Sequence, residues 1–274
     1  MRLLISKHNL GKWAAYYVYK KITEFKPTES NPFVLGLPTG STPFDMYKEL
    51  INLYKKKLIS FKNVVTFNMD DYVGLPDDHP QSFKNYMHSH FFKHVDINPK
   101  NIHMLNGNAT YLDYECKVFE ENIETLGGIH LLIGGIGEDG HIAFNEPGSS
   151  LSSRTRVKTL NYSTVLANSR FFEHSIENTP TVVLTMGIQT ILECQEIVIL
   201  AKGLNKSNAV AQAIEGGISS LCPATSLQFH KKALMLCDEY AAYNLKLKTI
   251  RYFENLNDEY IALDNEIITE GFTE

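Results

Sequence analysis

The sequence lacks the features that mark several classes of protein. It has no basic excess, since 26 Lys and Arg residues stand against 31 Asp and Glu residues and the formal net charge is −5. This balance argues against a general nucleic-acid binder, which usually carries a basic excess. No run approaches the roughly 18 apolar residues of a membrane span, and the apolar run after Met1 is too short for a signal peptide. We expect a cytoplasmic protein that binds neither nucleic acid nor membrane.

Paired cysteines, repeats and linkers are missing as well. None of the four cysteines forms a C-x-x-C pair, and each lies in an otherwise apolar pattern, which favours buried free thiols. They are Cys116, Cys194, Cys222 and Cys237. No internal repeat, low-complexity tract or linker rich in Gly, Pro and Ser divides the 274 residues. The sequence therefore predicts one domain over residues 1–274, with a C-terminal helical extension from about residue 239.

What is present is an alternation of short apolar strands with longer helical patterns. The strands are predicted at Leu3–Ile5, Phe33–Leu37, Val64–Asn68, Ile129–Ile133, Val182–Thr185, Ile197–Ala201 and Ala233–Cys237. The helices in the first half are predicted at residues 11–25, 43–57, 82–92 and 111–126. This alternation is typical of a mainly parallel sheet with helices on both faces, an open, doubly wound, Rossmann-like α/β fold. Ligands of such sheets bind beyond the carboxyl ends of the strands.

The first segment after a strand is Pro38-Thr39-Gly40-Ser41-Thr42-Pro43. Gly40 permits a tight turn, and Thr42 is placed to cap a helix that begins at Pro43. Hydroxyls and backbone N–H groups at a helix start favour an anion site. Because no Gly-Lys-[Ser/Thr] follows, the pattern favours a single phosphate over a nucleoside triphosphate. An ordinary capped turn is the alternative.

A pair of carboxylates, Asp70 and Asp71, follows the strand at Val64–Asn68. Adjacent carboxylates repel each other, and partial burial raises the pKa of at least one of them. A carboxylate with a raised pKa suits a general base that acts on a carbon acid near neutral pH. Two solvated turn residues are the alternative.

The richest segment is a Gly-rich loop over residues 133–147. Its glycines match the dinucleotide fingerprint G-x-G-x-x-G, but Pro147 and Gly148 leave no room for the required helix. No acidic residue occurs from Pro147 to Phe172 to bind a ribose. The loop instead brings Asp139, His141 and Glu146 close in sequence. A histidine flanked by carboxylates is a candidate proton shuttle, although a structural histidine in a tight loop has the same pattern.

The acid-free window after this loop is rich in cations. It contains Arg154, Arg156, Lys158 and Arg170, and Lys206 adds a cation at a later helix start. In an acidic protein this run favours the binding of small anions. His88, His90 and His94 lie in one predicted helix, but no Glu accompanies them as in H-E-x-x-H. We therefore expect no metal site.

Together these segments resemble the glucosamine-6-phosphate deaminase family. The resemblance is carried by residues 33–43, 66–76, 137–147, 152–160, 167–172 and 247–253. The family converts glucosamine 6-phosphate and water to fructose 6-phosphate and ammonia, with no organic cofactor and no required metal. The resemblance therefore implies an enzyme of amino-sugar and N-acetylglucosamine catabolism.

The resemblance also implies residue roles. Asp70 would move a proton from C2 to C1, and His141 would open the pyranose ring, oriented by Asp139 and Glu146. The residues implied for the substrate phosphate are Gly40, Ser41, Thr42, Arg170 and Lys206.

Regulation is implied in the same way. Larger members of the family are hexamers activated by N-acetylglucosamine 6-phosphate at subunit interfaces, so a homo-oligomer with this effector is expected. The matching positions are Met1, Ser149, Ser150, Arg156, Lys158 and Tyr252. The sequence departs from the family pattern in three places. Asp71 stands where Glu is commoner, and Ser163 replaces an acid before the helix that starts near Thr164. Cys222-Pro223-Ala224 stands where allosteric hexamers carry a Trp-containing segment, so that it resembles smaller, non-allosteric members.

Two other functions remain open at this point. One is another sugar-phosphate isomerase or lactonase on the same fold. The other is a non-catalytic sugar-phosphate sensor, but sensors usually carry an added DNA-binding module, for which the chain has no spare 50–60 residues.

Overall fold

A computed structural model of the protein describes residues 1–256 and 259–269. These residues form ten strands in two sheets. The strands are β1 (Arg2–Ile5), β2 (Phe33–Leu37), β3 (Val64–Asn68), β4 (Asp70–Tyr72), β5 (Ile102–His103), β6 (Leu131–Gly135), β7 (Arg156–Thr159), β8 (Val182–Thr185), β9 (Glu196–Ala201) and β10 (Ala233–Cys237). Seven of them make a parallel sheet in the order β1-β10-β9-β6-β2-β3-β5. The prediction of a mainly parallel sheet is confirmed.

Helices cover both faces of the parallel sheet. They are α1 (Leu10–Phe25), α2 (Phe44–Lys55), α3 (Phe83–His90), α4 (Leu112–Thr125), α5 (Tyr162–Asn168), α6 (Ile188–Leu192), α7 (Ser207–Glu215), α8 (Leu247–Glu254) and α9 (Glu259–Thr269). Successive strand residues point to opposite faces. In β9, Ile197 and Ile199 join the core cluster that includes α4, α6 and α7. Val198 and Leu200 join the cluster of α1, α2, α3 and α9. This arrangement confirms the doubly wound class.

Most predicted strand boundaries hold, but β6 lies two residues later than predicted. The prediction placed it at Ile129–Ile133, because those residues form the apolar run. The observed strand continues through Gly134 and Gly135, which pair with Ile199 and Leu200 of β9. A Cβ at Gly134 would press on the Ile199 side chain. Close packing against β9 therefore explains why glycine stands at that position of the strand.

The second sheet was not predicted. It has three antiparallel strands in the order β4-β8-β7. Strand β8 has the predicted bounds, but it lies in this sheet and not among the parallel strands. β4 and β7 escaped prediction because they are short and carry charged residues, which is not the pattern of a buried strand. The small sheet places β4 directly after the carboxyl end of β3.

The C-terminal region follows β10 with α8 and α9. Ile250 and Phe253 of α8 pack on one core cluster, and Tyr260 and Leu263 of α9 belong to the other. The prediction of one domain over residues 1–274 with an extension from about residue 239 stays a prediction, and part of it falls on residues outside those described. The four cysteines are free and buried, as predicted. No helix among the described residues is both long and apolar enough to cross a bilayer.

Candidate functional site

A cavity of about 460 Å³ opens at the carboxyl edge of the parallel sheet. The segments after β2, β3, β6 and β9 all contribute to its wall. β6 and β2 are adjacent at the point where the strand order reverses direction, which is where open α/β sheets bind ligands. The predicted site residues on its wall are Gly40, Ser41, Asp70, His141 and Lys206. The structure thus brings together segments that lie far apart in the sequence.

Asp70 is held in the wall by strand pairing. It pairs with Thr185 of β8, and the N–H of Met186 donates to the carbonyl of Met69 at 2.7 Å. The side chain is only 7% exposed. Burial, together with the charge of Asp71, raises the pKa of Asp70 to about 7. A carboxylate with this pKa is a competent base near neutral pH.

Asp71 lies on the opposite side of β4 and does not line the cavity. Its carboxylate accepts a hydrogen bond from the N–H of Gly107 at 3.1 Å. Burial raises the pKa of Asp71 to about 6, although that hydrogen bond and the charge of Lys84 oppose the shift. The prediction that at least one of the two carboxylates has a raised pKa agrees with both values.

His141 enters the cavity on a loop without regular structure. The loop forms turns and an isolated bridge between Ile142 and Asn145 rather than a helix, which agrees with the rejection of a dinucleotide site. The imidazole Nδ1 lies 2.6 Å from Oδ1 of Asp139. A Cβ at Gly137 would collide with the imidazole, so only glycine permits this ring position.

The hydrogen bonds from His141 favour the ionised form of the Asp139 carboxylate. Burial alone would raise the pKa of Asp139, but the hydrogen bonds from His141 outweigh burial and the pKa lies below its ordinary value. An ionised Asp139 therefore accepts from the Nδ1–H of His141. The remaining ring nitrogen, Nε2, is left to exchange protons. Asp139 itself does not line the cavity.

Glu146 forms no hydrogen bond or ion pair with His141 among the described residues, and its role in orienting the imidazole stays a prediction. It is buried at 2% exposure, and its carboxylate lies 3.0 Å from Nζ of Lys158 and accepts from the N–H of Asn161. The reason is the bridge at Ile142–Asn145, which turns the chain so that Glu146 faces β7. Glu146 therefore ties the loop of His141 to the second sheet.

The predicted helix cap at Thr42 is wrong. Helix α2 begins at Phe44, with Pro43 at the cap position and no side-chain cap. The N–H of Phe44 donates instead to the carbonyl of Ser41 at 3.4 Å, which removes a donor that Thr42 would have capped. Thr42 does not line the cavity, whereas Gly40 and Ser41 do.

The predicted cations have different surroundings. Lys206 lines the cavity, and its pKa is lowered by burial although Glu138 and Asp139 oppose the shift. Arg170 does not line it; its guanidinium lies 4.7 Å from the ring of Phe171, and its charge also lowers the pKa of Lys206. Arg154 forms an ion pair with Glu193. The prediction that all the cations between residues 147 and 172 bind small anions therefore includes too many residues, because Arg154 and Lys158 already have carboxylate partners.

The residues implied for an effector fall into two groups. Ser149, Ser150, Arg156 and Lys158 flank the Glu146 segment, where Arg156 donates to Oδ1 of Asn145 at 2.9 Å. Met1 and Tyr252 belong to the region of β1 and α8, which pack together. No hydrogen bond or ion pair among the described residues joins the two groups.

Aromatic residues that sequence reasoning passed over form much of the cavity wall. They are Phe44, Tyr72, Phe83, Tyr86, Phe144, Phe171 and Phe172. Tyr72 and Phe144 each lie within three residues of a predicted site residue, so their place in the sequence could have identified them as residues of the cavity wall. Phe83 and Tyr86 come from α3, where nothing in the helical pattern distinguishes a cavity residue from a core residue. His90 of that helix packs on Phe44 and Tyr86. No cluster of potential metal ligands occurs in the described part of the chain.

A cavity at the switch point, a turn suited to an anion and two separate candidates for proton transfer define the class: an α/β enzyme of small phosphorylated substrates. Residues 6–236 match the family described as glucosamine-6-phosphate isomerases/6-phosphogluconolactonase. The chain belongs to this family, as its motifs predicted.

Individual relatives agree with the family. The glucosamine-6-phosphate deaminase of Aeromonas hydrophila is 54% identical over 258 residues, covering 93% of this chain and 97% of that protein. The glucosamine-6-phosphate deaminase of Pasteurella multocida is 53% identical over 256 residues, covering 92% and 96%. A solved structure described as a monomeric glucosamine-6-phosphate deaminase has a TM-score of 0.84 and 41% identity, and it covers 89% of this chain and 100% of its own.

Proposed function

We propose that this chain converts glucosamine 6-phosphate and water to fructose 6-phosphate and ammonia, an aldose–ketose isomerisation coupled to deamination. Homologues with this activity in their names match the chain at about half of their positions along nearly their whole length. The observation that supports the chemistry is that Asp70 and His141 line one cavity. Ring opening and carbon-acid chemistry need separate proton carriers, and the cavity offers both.

Ring opening is assigned to His141. Its Nε2 takes the proton of the anomeric hydroxyl and returns a proton to the ring oxygen, which yields the open-chain aldehyde. The ionised Asp139 fixes the Nδ1–H tautomer and stabilises the imidazolium that forms in between. Glu146, which we place in the catalytic set as a positioning residue, keeps this loop against β7 through Lys158.

Isomerisation is assigned to Asp70. Its carboxylate removes the proton from C2 beside the aldehyde, while O1 gains a proton that the C2 ammonium loses, so that the electrons form the C1–C2 enolamine. The same carboxylate then returns its proton to C1, and the C2–N bond becomes the imine. The product is the 2-imine of fructose 6-phosphate, which water hydrolyses to the ketone and ammonia. A pKa of about 7 leaves Asp70 partly ionised at neutral pH and basic enough for the step.

The phosphate is assigned to the turn at Gly40, Ser41 and Thr42, together with Lys206 and Arg170. Gly40 and Ser41 face the same cavity as Asp70 and His141, and Lys206 brings a half-buried positive charge to its wall. Contacts with the remote phosphate hold C1 and C2 in register with the base, which lowers the entropic cost of reaction. No cofactor or metal takes part in this scheme.

Regulation and assembly form the remaining part of the proposal. We assign to the chain a cytoplasmic homo-oligomer, up to a hexamer, with N-acetylglucosamine 6-phosphate as effector at Met1, Ser149, Ser150, Arg156, Lys158 and Tyr252. The separation of these residues into two groups within one chain supports a site shared between subunits. Substrate saturation with and without the effector tests it. A sigmoidal curve made hyperbolic supports coupled subunits; a hyperbolic curve unchanged by the effector contradicts it, as Cys222-Pro223-Ala224 would suggest.

The activity is tested by measuring ammonia release from glucosamine 6-phosphate and fructose 6-phosphate formation in equal amounts. A lactonase of the same family would hydrolyse 6-phosphogluconolactone instead, and a sensor would bind the sugar phosphate without turnover. Either result in the absence of ammonia would overturn the proposal.

A further inference from the structure

Two tyrosines from neighbouring helices hold the carbonyl groups of the turn at residues 38–41. The hydroxyl of Tyr86, on α3, donates to the carbonyl of Gly40 at 2.6 Å. The hydroxyl of Tyr47, on α2, donates to the carbonyl of Pro38. The carbonyl of Ser41 accepts from Phe44 at the start of α2. Three of the carbonyls in and next to this turn are therefore directed at protein donors.

The N–H groups of the same turn are differently placed. Those of Gly40, Ser41 and Thr42 have no hydrogen-bond partner within the described residues. A turn whose carbonyls face the protein and whose N–H groups are left unpaired presents positive partial charge. Gly40 and Ser41 lie on the cavity wall, so this charge is available to an anionic group of the substrate.

The turn needs an external restraint to keep this arrangement. Gly40 has a φ of 100°, in the left-handed region, and a Cβ there would meet nothing within 4 Å. Glycine crosses between backbone regions at little cost. Rotation of the Gly40 peptide would turn its carbonyl toward the anion and the following N–H away from it. The hydrogen bond from Tyr86 opposes this rotation.

We infer that Tyr86 is a positioning residue for the substrate phosphate, because its hydroxyl fixes the Gly40 carbonyl and thereby preorganises the turn. The inference rests on the proposed function and adds a residue to it. The ring of Tyr86 is itself fixed, with its centroid 4.7 Å from that of His90 and 6.5 Å from that of Tyr47. Burial raises the pKa of Tyr86 to about 12, so the phenol remains a donor at neutral pH.

The test compares Tyr86→Phe with Tyr17→Phe. Both substitutions remove one hydroxyl, but Tyr17 donates to Glu196 at 2.8 Å and does not line the cavity. Binding of inorganic phosphate is measured by calorimetric titration, and KM and kcat are measured with glucosamine 6-phosphate. For Tyr86→Phe we expect phosphate affinity to fall and KM to rise by roughly 3- to 10-fold, the range for one hydrogen bond, with kcat nearly unchanged.

The control separates this role from general stability. Tyr17→Phe should lower the melting temperature without changing phosphate affinity or KM. If Tyr86→Phe binds phosphate as the wild type does, or loses kcat alone, the inference is wrong. Tyr47→Phe provides a second variant should Tyr86→Phe fold poorly, and it should weaken phosphate binding in the same direction; unchanged affinity there would also count against the inference. Because phosphate titration needs no turnover, it still decides the matter if the wild type releases no ammonia.

Discussion

Replacing Asp70 with Asn is expected to slow turnover strongly and, at the same time, to remove a loss of stability that the wild type suffers as pH rises. Asn has nearly the same shape but cannot accept the C2 proton, so kcat should fall by about 10²–10⁴-fold. Substrate binding should persist, because the residues that we propose for the phosphate do not include Asp70. A variant with near-wild-type kcat would exclude Asp70 as the base.

The stability change follows from the raised pKa. The ordinary value for Asp is 3.8, and burial with the charge of Asp71 raises the pKa of Asp70 to about 7. The folded state therefore binds this proton more tightly than the unfolded state, and stability falls as pH rises from about 4 to about 7. For these two values the loss between pH 5 and pH 8 is about 2–3 kcal/mol. Asp70→Asn should not show this loss of stability, because its side chain does not ionise.

Urea denaturation at several pH values between about 5 and 8 measures this difference. The stability of Asp70→Asn relative to the wild type should increase steadily over the range. Asp78→Asn is the matched control, because Asp78 is exposed on the surface, and its difference from the wild type should stay flat. In parallel, kcat/KM of the wild type should rise with pH through about 7, as the base ionises. A stability difference that does not change with pH would refute the reasoning about burial.

Three further substitutions test the site. His141→Gln should slow turnover of the pyranose by about 10²-fold, with little effect on substrate supplied in the open-chain form; equal losses for both forms would contradict the ring-opening role. Gly137→Ala places a Cβ against the imidazole, so we expect a loss of about 1–3 kcal/mol in unfolding free energy and a lower kcat. Gly217→Ala, where a Cβ meets nothing within 4 Å, should show neither change in the same melting and kinetic assays. Lys206→Ala removes the cation that we propose for the substrate phosphate and should raise KM by about 10- to 100-fold, with a smaller change in kcat; steady-state kinetics that show the reverse split would argue for a role in the chemistry.

Much of the fold could be predicted from local pattern. Strands β2 and β10 are continuous apolar runs because they are buried on both faces, and their boundaries were visible for that reason. Strand β6 was misplaced because its last two residues are glycines, whose presence in a strand depends on contact with β9. The second sheet was missed because antiparallel pairing between β4 and β8 joins residues more than a hundred positions apart. No local pattern records such a pairing.

The same distinction applies to the candidate site. Asp139 and His141 are two residues apart, so their contact follows from the loop itself and was predicted. Glu146 is only five residues from His141, but its partner is Lys158 on β7. This ion pair was not predicted, because β7 belongs to the sheet that local patterns did not reveal. Tyr86 was missed for a similar reason, since its hydroxyl contacts a turn 46 positions earlier.

The carboxyl end of β8 contacts two segments that lie far apart in the sequence and line the same cavity, namely that of Asp70 and that of His141. Thr185 pairs with Asp70, and its hydroxyl oxygen accepts from the N–H of Phe144, three residues after His141. The carbonyl of the next residue, Met186, accepts from the Asn145 side chain at 2.8 Å. One strand end therefore contacts both the segment of the carboxylate and the loop of the imidazole. The hydrogen bond from Asn145 is buried and the one from Phe144 is partly buried. β8 therefore helps to hold Asp70 and His141 in place relative to each other, together with β3 and β6 of the parallel sheet, which lead into their segments.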